Sequence, residues 1–193
     1  GRVPARCNMA AACCGRHAGD RSRTALYWED EGGATTTHTF WDLQQQANRL
    51  SNALSGLGIQ RGERIAIILP QRVETAIAHL ACYQTGAVAM PLSVLFGPEA
   101  LEYRLRDSEA VAALVDPASL SNLAQIRDKL PLLKSVIGVA GAGESWVLPW
   151  EALLEKASPG FSPVDTTADE PALLIYTSGT TGPPKGALMP QRV

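Results

Sequence analysis

The spacing of apolar residues predicts one clear amphipathic helix in the first third of the chain. Over residues 40–57, apolar side chains recur at steps of three or four, which places them on one face of a helix. This stripe consists of Phe40, Leu43, Ala47, Leu50, Leu54 and Leu57. Thr39 and Asp42 form a start that resembles a capping box, with aspartate in place of the usual Glu or Gln. Gly58 can end the helix.

A hairpin and several buried strands are predicted around this helix. Residues 25–29 and 35–39 are rich in β-forming side chains and flank the turn residues Gly32 and Gly33, which predicts the hairpin. Short continuous apolar runs are typical of strands that are buried on both faces. Such runs occupy residues 65–69, 87–90, 111–115, 135–139 and 172–176.

Helical segments alternate with these strands. The predicted helices cover residues 73–84, 98–108 and 117–130, and a proline stands at the first position of the last two. This β-α-β-α alternation predicts an α/β fold with a mostly parallel sheet flanked by helices. Residues 1–8 show no periodicity, so we interpret them as an irregular or non-native end and place the domain at residues 9–193.

The composition is that of an ordinary globular protein and excludes several kinds of partner. The 193 residues are 46% apolar and 19% charged, and the net charge of −2 gives no electrostatic basis for binding nucleic acid. Residues 75–98 lack charged side chains, but interrupting prolines and polar residues predict a helix, a turn and a strand there instead of a membrane span. The four cysteines lack zinc-finger and C-x-x-C spacing, so we expect no metal site and a reducing, cytoplasmic location.

Residues 173–186, with the sequence LLIYTSGTTGPPKG, combine the features of a phosphate-binding loop. An apolar strand leads into a run of hydroxyls and glycines, and a lysine follows. Glycines allow backbone N–H groups to turn toward an anion, and Ser and Thr hydroxyls can donate from the side. Lys185 adds a positive charge, and charge-assisted hydrogen bonds are roughly twice as strong as neutral ones. The segment therefore predicts a polyphosphate ligand.

Other loop types fit this segment less well. A solvated loop without a ligand would share its composition, but the order of its residues is more specific than that. The Walker A pattern fails because, counting from Gly179, its second glycine would fall on Pro184. The nucleophile elbow of hydrolases fails because neither residue two places from Ser178 is glycine.

Residues 176–186 resemble the signature of the AMP-forming adenylating superfamily, which includes acyl-CoA synthetases, the adenylation domains of peptide synthetases and luciferases. The similarity covers about residues 8–185 and is clearest upstream at residues 40–43, 62–70, 86–92 and 101–105. The resemblance implies a loop that wraps the β- and γ-phosphates of ATP. By residue type and position, that loop comprises Thr177, Ser178, Gly179, Thr180, Thr181, Gly182 and Lys185.

The resemblance also implies an activity. Family members couple ATP and a carboxylic acid into an acyl-adenylate, release pyrophosphate, and pass the acyl group to a thiol, commonly that of coenzyme A. We therefore expect an AMP-forming acid–thiol ligase that uses ATP, Mg²⁺ and coenzyme A. Residues 91–98 are similar to synthetases of short- or medium-chain acids, which suggests a substrate of that class.

By the same resemblance, a full-length member would continue for several hundred residues. It would carry the adenine contacts, the acyl pocket, an acidic magnesium ligand and a mobile C-terminal domain with a catalytic lysine. Residues 9–193 are thus expected to be an incomplete N-terminal AMP-binding domain, inactive alone, and we assign no catalytic residue or metal ligand within them. Three alternatives stay open: a non-catalytic nucleotide- or phosphate-binding module, an adenylation domain that loads a carrier-protein thiol, and a structural fragment that folds but has no function of its own.

Overall fold

The computed structural model of the protein describes residues 3–29, 32–177 and 183–192. Its helices are α1 (Met9–Cys13), α2 (Phe40–Gly56), α3 (Val73–Thr85), α4 (Pro98–Asp107), α5 (Pro117–Ala124) and α6 (Trp150–Glu155). Its strands are β1 (Thr24–Glu29), β2 (Thr35–Thr39), β3 (Arg64–Ile68), β4 (Val88–Pro91), β5 (Ala112–Val115), β6 (Ser135–Gly138), β7 (Leu148–Pro149), β8 (Pro171–Thr177) and β9 (Lys185–Pro190). None of the helices in these ranges is long and apolar enough to cross a membrane.

Seven strands form one sheet in the order β7-β6-β5-β3-β4-β8-β9. Every neighbouring pair in it is parallel except β8 and β9, which are antiparallel. β1 and β2 pair separately as the predicted antiparallel hairpin. β3 and β5, predicted at residues 65–69 and 111–115, are direct neighbours in the sheet. β4 lies between β3 and β8, the strand predicted at residues 172–176. The α/β fold with a mostly parallel sheet is therefore confirmed.

The continuous apolar runs form strands because side chains on both faces of the sheet are buried. In β3, Ile65 and Ile67 belong to one core cluster, whereas the alternate residues Ala66 and Ile68 belong to a second cluster. Residues of α2 and α3 complete the first cluster, and residues of α4 and α5 complete the second. Complete burial of each large aliphatic side chain contributes about 1.5–3 kcal/mol to folding, so the strands and flanking helices stabilise each other.

Two parts of the structure differ from the pattern-based expectation. The helix predicted at 117–130 ends at Ala124, and a 3₁₀ turn follows at Arg127–Lys129. The backbone leaves the helical region at Ile126, which is buried together with Leu130 in the second core cluster. Burial of these side chains thus takes precedence over continuation of the helix. The short elements α1, β7 and α6, and the strand β9, were not predicted either.

Residues 6–8 contact the segment that precedes β8. The amide of Cys7 donates to the carbonyl oxygen of Thr166 at 3.0 Å. The side-chain amide of Asn8 donates to the carbonyl oxygens of Tyr83 and Val164, and its side-chain oxygen caps α1. Although residues 3–8 form no helix or strand, these hydrogen bonds tie the end of the chain to the same domain.

Polar side chains of α2 hold the long connection that leads to β8. Arg49 donates to the carbonyl oxygen of Ala157 at 2.7 Å, and Asn48 donates to that of Pro159 at 2.8 Å. Asn52 donates to the carbonyl oxygens of Ser158 and Gly160. These hydrogen bonds fix the course of the connection and so help to place β8 beside β4.

Candidate functional site

The hairpin of β8 and β9 brings the two ends of the predicted phosphate-binding loop together. In its register Thr177 lies opposite Lys185, and the Thr177 hydroxyl makes a long contact of 3.5 Å with the carbonyl oxygen of Lys185. Ala172 and Leu174 near the start of β8 are buried, whereas Thr177 is exposed. The strand therefore delivers the loop to the carboxyl end of the parallel sheet, the edge at which open α/β proteins bind ligands.

The structure describes two of the seven predicted phosphate-binding residues, Thr177 and Lys185. The other five lie outside the described residues, and their contact with phosphate stays a prediction. They are Ser178, Gly179, Thr180, Thr181 and Gly182. Within the described ranges the Lys185 side chain forms no ion pair, and the residue is exposed. Its ammonium group is thus available to an anionic ligand.

The lack of a side chain at Gly186 suits its partner across the hairpin. It lies opposite Tyr176, and a Cβ atom at Gly186 would stand 3.2 Å from Cζ of Tyr176 and 3.0 Å from Cδ1 of Leu174. Both distances are shorter than ordinary van der Waals contacts. A glycine after the lysine therefore allows the Tyr176 ring to lie across the neighbouring strand.

Helix α4 supports the hairpin through two hydrogen bonds that the sequence did not predict. The Tyr103 hydroxyl donates to the carbonyl oxygen of Pro184 at 2.9 Å, and the Tyr176 hydroxyl donates to Oδ2 of Asp107 at 2.7 Å. Burial, followed by the hydrogen bond to Asp107, raises the pKa of Tyr176 well above its usual value. A single sequence carries no signal that these residues, separated by 69 and 81 positions along the chain, are in contact.

By themselves, the described residues form no cluster of three or more side-chain ligands for Mg²⁺. No group of three or more His, Cys, Asp or Glu side chains within the described ranges could hold a metal ion. Mg²⁺ prefers several oxygen ligands in near-octahedral geometry, often from one or two carboxylates with phosphates and water. Asp107 lies near the hairpin, but its carboxylate already accepts from Tyr176.

A cavity of about 630 Å³ lies on the opposite face of the sheet, between α2, α3 and the start of the chain. Phe40, Leu43 and Leu80 contribute apolar lining, and none of the predicted phosphate-binding residues lines it. His79 also lines it, makes a 2.9 Å hydrogen-bond contact with the Tyr83 hydroxyl, and has a pKa lowered by burial. No Ser, Cys or carboxylate hydrogen-bonds to His79 among the described residues, so this arrangement is that of a packed histidine.

The matching family model carries the description AMP-binding enzyme and covers residues 15–193. The chain is 32% identical over 198 residues to an acetyl-coenzyme A synthetase of Syntrophus aciditrophicus (strain SB), covering 94% of this chain and 31% of the relative. It is 33% identical over 168 residues to the uncharacterized acyl-CoA ligase YtcI of Bacillus subtilis (strain 168), covering 86% of this chain and 31% of the relative. The chain thus spans about a third of the length of these curated relatives.

Two solved structures share the fold. The anthranilate CoA ligase AuaEII in complex with anthranoyl-AMP superposes with a TM-score of 0.91 at 25% identity, covering 98% of this chain and 36% of that one. The Brucella canis acyl-CoA synthetase superposes with a TM-score of 0.88 at 30% identity, covering 100% of this chain and 35% of that one.

Proposed function

Because the chain belongs to the AMP-binding enzyme family, we propose that it is part of an AMP-forming acyl-CoA synthetase. In this proposal the enzyme activates a carboxylic acid with ATP and transfers the acyl group to coenzyme A. One observation carries the proposal. The hairpin of β8 and β9 places Thr177 and Lys185, the first and last residues of the signature loop, side by side at the carboxyl end of a parallel sheet.

The proposed first step joins the acid to AMP. A carboxylate oxygen of the acid attacks the α-phosphorus of ATP and forms an acyl–phosphate bond. The bond from that phosphorus to the bridging oxygen breaks, and pyrophosphate leaves with the electron pair. Negative charge grows on the leaving pyrophosphate, and a fixed positive charge nearby stabilises that transition state. The exposed ammonium group of Lys185 has this role in our proposal.

The second step transfers the acyl group from AMP to the thiol of coenzyme A. The thiol loses its proton to solvent, its sulfur attacks the acyl carbon and forms a thioester, and the bond between that carbon and the AMP oxygen breaks, so that AMP leaves with the electron pair. Adenylation makes this step possible because AMP is a far better leaving group than the oxide of a free carboxylate. We propose ATP, Mg²⁺ and coenzyme A as the small molecules required. Because the described residues form no cluster of metal ligands on their own, neither step is assigned to the metal.

We assign this activity to a longer protein that contains the chain. The chain spans about a third of the length of its curated relatives, and we propose that residues 9–193 are inactive alone.

The acid is proposed to be short- or medium-chain. Similarity of residues 91–98 to such synthetases supports this class, as does the acetyl-coenzyme A synthetase among the relatives. The four cysteines are free thiols, which supports a cytoplasmic location.

Product analysis of the full-length enzyme tests this proposal. The enzyme is incubated with ATP, Mg²⁺, coenzyme A and a series of short- and medium-chain acids, and nucleotides and thioesters are separated by chromatography. We expect AMP and acyl-CoA in equal amounts, and only when the acid is present. Production of ADP, or no turnover with any acid, would contradict the proposal. AMP formation without transfer to coenzyme A would favour an enzyme that loads a carrier-protein thiol.

A further inference from the structure

The β8–β9 hairpin is joined to the parallel sheet by far fewer backbone pairs than hold the hairpin itself together. β8 and β9 pair through six residues on each strand, whereas the register between β4 and β8 contains only the pair of Ala89 and Leu173. β3 has four pairs with each of its two neighbours. The rest of the attachment of the hairpin comes from burial of Ala172 and Leu174 and from contacts outside the sheet.

Residues 5–9, which we call the strap, run beside the segment that leads into β8. The amide of Ala168 donates to the carbonyl oxygen of Ala5 at 2.8 Å, and the amide of Cys7 donates to that of Thr166 at 3.0 Å. Thr166 and Ala168 are buried, so water does not readily replace these hydrogen bonds. The backbone of the strap therefore holds the chain just before the hairpin begins.

Two further hydrogen bonds of the strap reach α3 and the end of β9. The side-chain amide of Asn8 donates to the carbonyl oxygens of Tyr83, at 2.8 Å, and Val164, at 3.2 Å, and so joins the end of α3 to the segment before β8. The N–H of Met9 donates to Oε1 of Gln191 at 2.8 Å. Gln191 directly follows β9 and is 2% exposed. The strap thus contacts the chain both before β8 and after β9.

We propose that the β8–β9 hairpin opens from the sheet as one unit, and that the strap is the latch that limits this opening. Proteins open locally in contiguous units whose free energies of opening differ, and a hairpin that is paired well internally but weakly to its sheet forms such a unit. The inference goes beyond the proposed function, because it concerns the motion of a structural element and does not depend on a nucleotide. It also gives a role to residues 5–8, part of the end that the sequence predicted to be irregular or non-native.

The contacts of the strap differ in how much they contribute. Arg6 and Asp165 form an ion pair, but their side chains are 65% and 72% exposed, and exposed ion pairs contribute little. Asn8 and Gln191 are better placed, since each side chain joins segments that are distant in sequence. The side-chain oxygen of Asn8 also caps α1. A test must therefore separate this cap from the bonds made by the amide.

Hydrogen–deuterium exchange of the full-length enzyme, read by mass spectrometry, compares Asn8→Ser and Gln191→Met with the wild type. Serine is a good N-cap but lacks the amide that donates to the two carbonyl oxygens. Methionine removes the acceptor of the Met9 N–H at similar volume, and the Gln191 side-chain nitrogen has no hydrogen-bond partner among the described residues to lose. Amides of β8 and β9 should exchange roughly five- to tenfold faster in each variant, whereas those of β3 and β5 should not change.

Asn122→Ser is the matched control, because Asn122 of α5 also donates from its side chain to a backbone carbonyl, that of Phe96 at 3.3 Å. It should leave exchange in β8 and β9 unchanged. Unchanged exchange in β8 and β9 of both strap variants would overturn the proposal. So would equal acceleration in β3, β5, β8 and β9, since the hairpin would then open only with the whole domain. Acceleration confined to α1 in Asn8→Ser would reduce Asn8 to a helix cap and would overturn the latch as well.

Discussion

At the residue scale, charge and close contact explain the residues that end the motif. Lys185 is exposed and, within the described part of the chain, has no acidic partner. A Cβ atom at Gly186 would require the Leu174 or Tyr176 side chain to shift by a few tenths of an ångström. The lysine is thus suited to an external anion, whereas the glycine relieves close contacts within the hairpin. The motif thus combines a residue suited to binding with a residue suited to packing.

Removal of the Lys185 charge or the Thr181 hydroxyl should weaken productive use of ATP. Under the proposed function, Lys185→Ala and Thr181→Ala in the full-length enzyme would each remove a bond to phosphate, and such a bond to a charged group is worth about 1.5–3 kcal/mol. We expect kcat/KM for ATP to fall roughly tenfold to a hundredfold in each. Steady-state kinetics measure this effect, with Lys156→Ala as the control, since Lys156 is exposed and lies at the end of α6. Unchanged kinetics in both loop variants would remove the loop from the mechanism.

The ion pair of Glu170 and Arg61, next to the start of β8, predicts a pH-dependent stability. Nε of Arg61 donates to Oε2 of Glu170 at 2.9 Å, and this hydrogen bonding lowers the pKa of Glu170. Because the folded-state pKa is below the unfolded value of about 4.3, the stabilisation is present above that value. It is lost as the pH falls through the folded-state pKa. Solvent screening limits it to about 1 kcal/mol or less.

We therefore expect Glu170→Gln to lower the thermal midpoint of this chain at neutral pH. The difference from the wild type should shrink below the unfolded-state pKa of about 4.3 and vanish at still lower pH. Calorimetric scans across this pH range measure it, with Glu155→Gln as an exposed control. A difference that stays constant with pH would show that the pair does not contribute through ionisation.

At the element scale, the strength of the apolar pattern determined which elements could be predicted. β3 and β5 are continuous apolar runs because both faces of the sheet are covered, and α2 shows a complete apolar stripe. The elements β7 and α6 have 2 and 6 residues, too few for a period to appear. β9 is exposed along residues 185–188, and its pairing with β8 comes from the hairpin. Such elements depend on contacts that a pattern along the chain does not contain.

Hydrogen bonds on the polar side of α2 predict how two substitutions change the free energy of unfolding. Asn48 is buried, donates to the carbonyl oxygen of Pro159, and accepts from Gln44 and Gln84. Asn48→Ala removes three hydrogen bonds at a buried position, each worth about 0.5–1.5 kcal/mol, although the side-chain amides of Gln44 and Gln84 keep their bonds to Gln84 and Ser51. Asn52→Ala removes similar hydrogen bonds at a partly exposed position, where water can replace them, and should cost less. Urea unfolding of this chain measures both, and an equal or reversed order would contradict the role given to Asn48.

At the scale of the whole molecule, the site lies where the sheet topology places it. Parallel strands β3, β4 and β8 end at the same edge, and the signature loop follows the last of them. The sequence predicted that an apolar strand of the sheet, residues 172–176, leads into this loop. The support from Tyr103 and Asp107 was not predicted, because only the folded chain brings α4 beside the hairpin. The motif thus predicts the local chemistry, whereas the contacts between α4 and the hairpin form only in the folded chain.

The central claim is that this chain contributes the phosphate-binding loop of an enzyme that adenylates carboxylic acids. Exchange of labelled pyrophosphate into ATP measures that step alone, because it requires reversible formation of the acyl-adenylate. Positioning of the reactants contributes roughly 7–11 kcal/mol to such a step, so the chain by itself should show no exchange. The full-length enzyme should show exchange with at least one of acetate, butyrate, octanoate and benzoate, and none without acid. A folded full-length enzyme that binds ATP but exchanges no pyrophosphate with any of these acids, or robust exchange by the isolated chain, would contradict the account.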